Sequence, residues 1–423
     1  MTPEEAERRL LALELFGMRF GLDRMRRLMT VLGHPERRFA SIHVVGTNGK
    51  SSTTRMIAAI LNHHGHRTGA YLSPHLVGFH ERIRVDDQDI TPQRFADAIE
   101  RALRAAEQVN RTGGGEDPVT QFELLTAAAY SELAAAGVEI AVIEAGLGGR
   151  YDATNVIPST VQVLTSVGLE HTRWLGPTVA AIAREKLDVV QPGGTLVLGA
   201  AMHPDARAVA EEIAAERGAV LVQAPADPRA DVGALGGFQR RNFALARAAA
   251  EAFLGRLDDA AVAAAAASVR VPGRMQVIDR DPLTLVDGAH NPDGIAALAE
   301  SLPELTAPAR DGGGRVVAVV SILDDKDASS MLRLLAPLCD AIILTSSHNP
   351  RVLPPPTLSA LLDQLAPEIE LDSEIVAGPH AALRRARALA GPRGVVVATG
   401  SLYLVSDLLH DPAVTGTRRA STL

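Results

Sequence analysis

Apolar residues in this chain fall into two kinds of run, short blocks with few polar interruptions and longer stretches with helical spacing. The blocks at 42–45, 138–143, 161–167 and 195–198 read as strands buried on both faces. Residues 67–71 and 219–222 read as shorter strands, and 81–85 alternates as a half-buried one. Between them, 52–62 sets Met56, Ile57, Ile60 and Leu61 on one helical face. Further helices are expected over 92–108, 121–135, 179–189, 205–217, 239–254 and 258–269. Residues 2–15 are charged and helix-like, while 113–115 and 224–237 read as loops.

A Pro-Gly joint at Val271-Pro272-Gly273-Arg274 stops the last of these helices, and a second alternation begins beyond it. Its strands are expected at 283–286, 315–320, 341–344 and 395–398, and its helices at 294–302, 328–338, 357–364 and 381–389. The tail, 411–423, lacks an apolar pattern and reads as frayed. Strand–helix alternation throughout predicts an α/β protein with mostly parallel sheets. At 423 residues the chain is long for one core. Two domains are expected, over 1–270 and 275–423, the smaller being Rossmann-like but without a Gly-x-Gly-x-x-Gly turn.

Composition narrows the function. Hydrophobic content of 47% supports globular folding, and a net charge of −8 argues against a non-specific nucleic-acid binder. No run of about 18 apolar residues predicts a membrane span, and the N-terminus lacks the apolar core of a signal peptide. A cytoplasmic monomer is expected. The single cysteine, Cys339, excludes an intrachain disulfide and reads as inert core. Of 42 basic residues only Lys50, Lys186 and Lys326 are lysine. Arginine serves a solvated surface, whereas lysine alone can lose its proton and become a nucleophile, so these three positions stand out.

Polar residues that follow apolar strands carry the candidate chemistry, because open α/β sheets bind ligands there. After 42–45 comes Gly46-Thr47-Asn48-Gly49-Lys50-Ser51-Ser52, where a glycine turn leads into a helix. That geometry aims backbone N–H groups and the positive end of the helix dipole at a phosphate, with Lys50 within reach of it. Only two residues separate the glycines, where the common P-loop has four. Ser73, Glu144 and His171 stand at the ends of other strands. Oxygen donors such as Glu144 and a serine suit Mg²⁺. His75 and His80 read as turn or surface residues, and the cluster His63-His64-Gly65-His66 as a solvated helix end. In the second series, Asp287-Gly288-Ala289-His290-Asn291-Pro292 offers a carboxylate, an imidazole and an amide to a nucleotide, and Asp324-Asp325-Lys326-Asp327 follows the next strand.

Together these residues resemble the folylpolyglutamate synthase / dihydrofolate synthase family, a branch of the Mur-type ATP-dependent amide ligases. The resemblance rests on the glycine turn, Ser73-Pro74-His75-Leu76 with Glu81-Arg82-Ile83, and Phe122-Glu123 with Thr126. It continues through Glu144-Ala145-Gly146-Leu147-Gly148-Gly149-Arg150-Tyr151-Asp152-Ala153-Thr154-Asn155, His171, Glu185-Lys186, Gln239 with Asn242 and Pro272-Gly273-Arg274. Asp287 to Pro292, Lys326-Asp327 and Gly400-Ser401-Leu402-Tyr403 complete it. It spans about residues 14–405, and the short glycine spacing is the form this superfamily uses. The family usually has glycine at 51 and aspartate at 170, where this chain has Ser51 and Glu170. It also has small residues where Leu187-Asp188-Val189 stand.

The resemblance implies a P-loop-type N-terminal domain and an ATP-dependent ligase that joins L-glutamate to dihydropteroate or a folate. Gly46, Thr47, Asn48, Gly49, Lys50, Ser51 and Ser52 would hold the ATP phosphates. Asn242, Arg274, Asp287 and His290 would meet the nucleotide from two sides of a cleft that closes over it. Ser73 and Glu144 would bind one Mg²⁺, and Glu144, His171 and a carbamylated Lys186 a second. Lys50, Glu144, His171 and Lys186 are the candidate catalytic residues; Arg82, Asp152 and Lys326 are candidate substrate contacts. The γ-phosphoryl of ATP would activate the carboxylate as an acyl phosphate for attack by the amine. A peptidoglycan-precursor ligase acting on a UDP-sugar acid, and a nucleotide-binding regulatory module without ligase activity, are the alternatives.

Overall fold

The computed structural model describes residues 1–13, 21–112, 117–225, 231–365 and 371–410. The expected loop at 113–115, the centre of the loop at 224–237, the last two residues of the expected helix at 2–15 and the tail lie outside them. The chain divides into two compact units, Met1–Gly233 with Arg240–Val269, and Ala234–Gln239 with Arg270–Leu423. Among the described residues no helix is long and apolar enough to cross a membrane.

The first unit is built on β1 (Ala40–Val45), β2 (Thr68–Tyr71), β3 (Ile83–Val85), β4 (Gln88–Asp89), β5 (Ile140–Glu144), β6 (Val161–Leu164), β7 (Thr195–Leu198) and β8 (Val220–Gln223). Their order is β4-β3-β2-β5-β1-β6-β7-β8. The six strands from β2 to β8 are parallel, while β3 and β4 add an antiparallel hairpin at one edge. Its helices are α1 (Pro3–Leu11), α2 (Asp23–Val31), α3 (Lys50–His63), α4 (Pro92–Thr112), α5 (Gln121–Ala135), α6 (Thr172–Leu175), α7 (Val179–Leu187) and α8 (Pro204–Arg217). Two more follow, α9 (Gly237–Leu254), whose first turn belongs to the second unit, and α10 (Asp259–Ser268).

Alternation along the strands divides the side chains between two cores. Ala141 and Ile143 of β5 pack with α4 and α5, and Val45, Leu164 and Leu198 pack with Ile182, Ala183 and Leu187 of α7. Helices α3 and α10 pack together, with α3 also against β1, β2 and β5. The buried Arg24 of α2 donates to both oxygens of Glu123 at 3.0 and 3.1 Å, which pins α2 to the start of α5. Glu123 also accepts from the amide of Thr120 at 2.9 Å, so it closes a capping box at that start.

The second unit has β9 (Gln276–Arg280), β10 (Leu283–Val286), β11 (Val316–Val320), β12 (Ala341–Leu344), β13 (Asp372–Ile375) and β14 (Val395–Thr399), ordered β13-β12-β11-β14-β10-β9. Only β9 is antiparallel to its neighbour. With them go α11 (Pro292–Asp311), α12 (Ala328–Leu335), α13 (Pro355–Leu365), α14 (Pro379–Ala390) and α15 (Leu402–Leu409). Leu285, Val320, Ile342 and Val397 form its core with Leu298 of α11 and Leu332 of α12.

Several expectations need correction. The strand expected over 81–85 starts only at Ile83, because Phe79–Arg82 is a 3₁₀ turn. The strand expected to run to 167 stops at Leu164, where Thr165 and Ser166 turn aside to bond the glycine loop. Helix α11 passes Pro303 and Pro308, where proline normally ends a helix, and Leu302, Leu305, Thr306 and Ala309 pack one face of its far half. Helices α2, α6 and α15 and strands β4, β9 and β13 were not expected.

Candidate active site

Strand β1 lies between β5 and β6, and the chain leaves β1 toward the β4 edge of the sheet but leaves β6 toward the β8 edge. Such a switch point opens a crevice beyond the strand ends. There the chain turns through Gly46 (φ 152°) and Gly49 (φ 86°) into α3. A side chain at Gly46 would collide with the hydroxyl of Thr165, and one at Gly49 would come within 2.8 Å of Asn242 Oδ1. The turn is held from the neighbouring loop. Thr47 donates its amide to the Ser166 carbonyl at 2.8 Å, and Asn48 its amide to Ser166 Oγ at 3.0 Å. Thr165 Oγ1 donates to the Asn48 carbonyl at 2.6 Å, and the Gly168 amide donates to Thr47 Oγ1 at 3.1 Å. Lys50 folds back over the turn, donating to the carbonyls of Gly46 and Thr47 at 3.1 and 3.0 Å.

Glu144, the last residue of β5, gathers the next two elements. One oxygen accepts the Ser51 hydroxyl at 2.9 Å and the other accepts the Ser73 amide at 3.0 Å. Ser73 follows β2, whose parallel pairing with β5 brings the two strand ends together. Of the two adjacent serines, Ser51 therefore faces this carboxylate; Ser52 is buried, 3% exposed.

Lys186 of α7 is only 4% exposed and donates to the Gly46 carbonyl at 2.8 Å. Burial, and then the charge of Lys50, lower its ammonium to about 7, although Glu170, Asp152 and Glu185 act the other way. The glycine-rich loop after β5 lies against this end of α7. Gly149 sits where any side chain would meet the carbonyls of Glu185 and Lys186, and the Arg150 amide donates to Glu185 O at 3.0 Å. Asp152 closes the loop by accepting from the amides of Leu147 and Thr154 at 2.7 and 3.0 Å, and burial raises its carboxyl. The Thr154 hydroxyl also bonds Asp152, so it accepts from His43 Nε2 at 2.8 Å. His43, on β1, is held neutral by burial, with its pKa lowered to about 3. His171 follows β6 as the exposed, left-handed first residue before α6, with φ 52°.

The loop after Ser73 is drawn tight by Glu81, which accepts the amides of Leu76, Val77 and Gly78 at 3.1, 2.9 and 2.8 Å. That collection of donors is why the 3₁₀ turn replaces the expected strand. His75 is 3% exposed rather than a surface residue, and its Nδ1 accepts from Arg82 Nε at 3.0 Å. The Arg82 guanidinium also lies over the Phe79 ring, 5.3 Å from its centroid.

In the second unit, Asp287 follows β10 and is buried. Its two oxygens accept the amides of Met275 and Ala289, both at 2.8 Å, and burial raises its carboxyl. The Gly288 amide donates to Gly273 O at 2.8 Å, so the stretch containing Arg274 is stitched to the Asp287 turn. His290 Nδ1 donates to Gly288 O at 2.8 Å, and Asn291 caps α11 through the Gly294 amide. Lys326, with a side chain 12% exposed, lies 3.7 Å from Asp325 in the loop after β11.

The structure thus brings Gly46–Ser51, Ser73, Glu144, Lys186 and Asp152 to one edge of the first sheet, with His171 on the adjoining loop. It brings Arg274, Asp287 and His290 to one edge of the second. Ser52 is buried in α3, and Arg82 meets His75 and Phe79. Thr165 and Ser166, which shape the glycine turn, were missed. Their signal was two hydroxyl residues interrupting an apolar block.

Residues 273–402 match the family model for the Mur ligase, glutamate ligase domain. The chain is 33% identical to the dihydrofolate synthase/folylpolyglutamate synthase of Mycobacterium tuberculosis, over 98% of this chain and 90% of that protein. It is 30% identical to the Bacillus subtilis protein of the same description, over 93% of this chain and 95% of that protein. Among solved structures it resembles the Mycobacterium tuberculosis folylpolyglutamate synthase complexed with ADP. The TM-score is 0.88, with 29% identity, 97% of this chain and 99% of that chain covered. It also resembles E. coli FolC in complex with DHPP and ADP, with TM-score 0.85, 27% identity and 97% of each chain covered.

Proposed function

Because the chain belongs to the folylpolyglutamate synthase / dihydrofolate synthase family, we propose that it uses ATP to join L-glutamate to dihydropteroate or to folates. It is an ATP-dependent amide ligase of that type, and the ADP-bound relatives support nucleotide binding. The observation that carries the residue assignment is the clamp of Glu144 on Ser51 and Ser73, beside the glycine turn.

A carboxylate and a triphosphate are both anions, so their reaction needs fixed positive groups where charge collects. The backbone donors from Gly46 to Lys50, and the uncapped start of α3, would hold the phosphates, with Ser51 and Ser52 completing the turn. Lys50 would exchange its bonds to Gly46 and Thr47 for the terminal phosphates. Asn242, Arg274 and His290 would contact the nucleotide. Asp287, whose oxygens already serve two amides, would shape the turn that presents His290.

The oxygen-only donor set of Glu144 and the two serines fits a hard cation, and among the described residues no group of three or more His, Cys, Asp or Glu forms a cage. Mg²⁺ bound by Ser73 and Glu144, with a second ion near Glu144, His171 and Lys186, would neutralise phosphate charge. Lys186 would serve as a carbamate. A pKa near 7 leaves much of its amine neutral at physiological pH, and a neutral amine adds CO₂ to become an anion. Asp152 would hold the glycine-rich loop, Arg82 the loop after Ser73, and Lys326 would face a substrate carboxylate. ATP and folates are cytoplasmic metabolites, so the reading places the protein there, acting as a monomer.

ADP release measured with ATP, glutamate and either dihydropteroate or tetrahydrofolate tests this. Release requiring both glutamate and one pterin acid is expected; release stimulated by neither pterin acid would overturn it.

A further inference from the structure

The second unit holds a histidine–carboxylate pair that none of these roles uses. His348 lies four residues past the end of β12, and Asp407 on α15, the helix that follows β14. The two strands flank β11, so the pair sits at the carboxyl-terminal edge of a parallel sheet, where ligands bind. Asp407, 1% exposed, accepts the His348 amide at 3.0 Å with one oxygen and faces His348 Nδ1 with the other. The Tyr403 ring and the imidazole meet edge to face, with 77° between their planes and centroids 5.8 Å apart. The loop is braced from below, since the Ser347 amide donates to Ser321 Oγ at 3.1 Å.

This arrangement fixes one tautomer. A carboxylate can only accept, so Nδ1 carries the proton and Nε2 carries the lone pair of the neutral ring. The side chain of His348 is 24% exposed, which leaves room for a small molecule to approach. Charged groups on the adjoining loops are Lys326 and Arg351, lying 3.7 and 3.8 Å from Asp325, and Asp324, whose amide donates to Arg351 O at 2.8 Å. Arg351 stands three residues past His348 on the same loop, and Lys326 on the loop after the neighbouring strand β11, two cations of the kind that meet carboxylates.

Amide formation poses a problem that phosphate chemistry does not solve. At neutral pH the amine of glutamate is an ammonium without a lone pair, and it cannot attack. Resting on the ligase reading above, we propose that His348, oriented by Asp407, is the base that prepares this amine. Nε2 takes one proton from the ammonium as an N–H bond breaks. The freed lone pair forms the C–N bond, and the C–O bond to phosphate breaks with its electrons leaving on phosphate. The second nitrogen proton goes to the phosphate. An acyl phosphate, an ammonium and a neutral imidazole thus become an amide, hydrogen phosphate and an imidazolium.

The test compares two nucleophiles in the full-length enzyme with ATP and the pterin acid it uses. Hydroxylamine is already unprotonated at neutral pH and needs no base. His348→Gln should slow turnover with glutamate about 100-fold while leaving hydroxamate formation nearly unchanged, and the defect should shrink as pH rises. Asp407→Asn, which keeps an acceptor for the His348 amide, should move both readouts the same way. Equal losses with both nucleophiles, or a raised KM for glutamate with unchanged kcat, would overturn the proposal. Wild-type enzyme that makes neither amide nor hydroxamate would instead remove the ligase reading, and this inference with it.

Discussion

The ammonium of Lys186 and the carbonyl of Gly46 are 2.8 Å apart, so the most buried lysine of the chain rests directly on its phosphate-type turn. Nothing about that contact needs lysine in particular, since arginine also donates. The carbamate role does need it. Lys186→Arg is therefore expected to lower substrate-dependent ADP release by about 100-fold or more, and ¹³C-bicarbonate should label wild type but not the variant. Normal turnover in Lys186→Arg would end the carbamate assignment.

The same residue makes stability depend on pH. Its folded value of about 7 lies below the ordinary 10.5, so between those values the unfolded chain binds more protons and stability rises with pH. Below pH 7 the cost of burying the charge is present in full. In CO₂-free buffer, Lys186→Met should gain in urea midpoint relative to wild type at pH 6, and the gain should fade by pH 10. A difference between the two proteins that does not change with pH would contradict this.

Glu144→Gln keeps a shape that can still meet Ser51 and Ser73 but removes the charge. Turnover should fall about 100-fold or more, and a higher Mg²⁺ concentration should be needed for half-maximal rate. Ser51→Ala should share the Mg²⁺ effect, because its hydroxyl faces the same carboxylate. Ser52→Ala should instead show up mainly in thermal stability. Interchanged results for the two serines would show that the wrong hydroxyl has been chosen.

Gly149→Ala adds one methyl group against the backbone of Glu185 and Lys186. Overpacking of this kind costs about 1–3 kcal/mol, readable as a lowered denaturant midpoint. Because the displaced residue is Lys186, kcat should fall as well, although Gly149 makes no use of a side chain. Unchanged kcat in a folded variant would separate the loop from the chemistry.

The parallel core was legible because its strands are short, largely apolar blocks, as strands buried on both faces tend to be. Edge strands β9 and β13 were not, since Asp279 and Arg280, or Asp372 and Glu374, give them no apolar block to recognise. The candidate site was legible as polar residues at strand ends, which is how Glu144 and Ser73 were found. The choice between Ser51 and Ser52 was not, because it depends on the rotation of α3 about its axis. Nor was the pairing of His348 with Asp407, which lie 59 residues apart and belong to no local pattern. His75 does lie in a loop, but its burial was not legible, because Arg82 and the Phe79 ring, which pack against it, come from beyond the turn.

The bonds that Thr165, Ser166 and Gly168 make to Thr47 and Asn48 bear on how this site could be inherited or moved. The turn from Gly46 to Lys50 draws much of its shape from a loop more than a hundred residues downstream. A graft carrying only the glycine motif would bring the letters without their template. What must travel together is a pair of neighbouring strand ends, and the sheet that sets the distance between them.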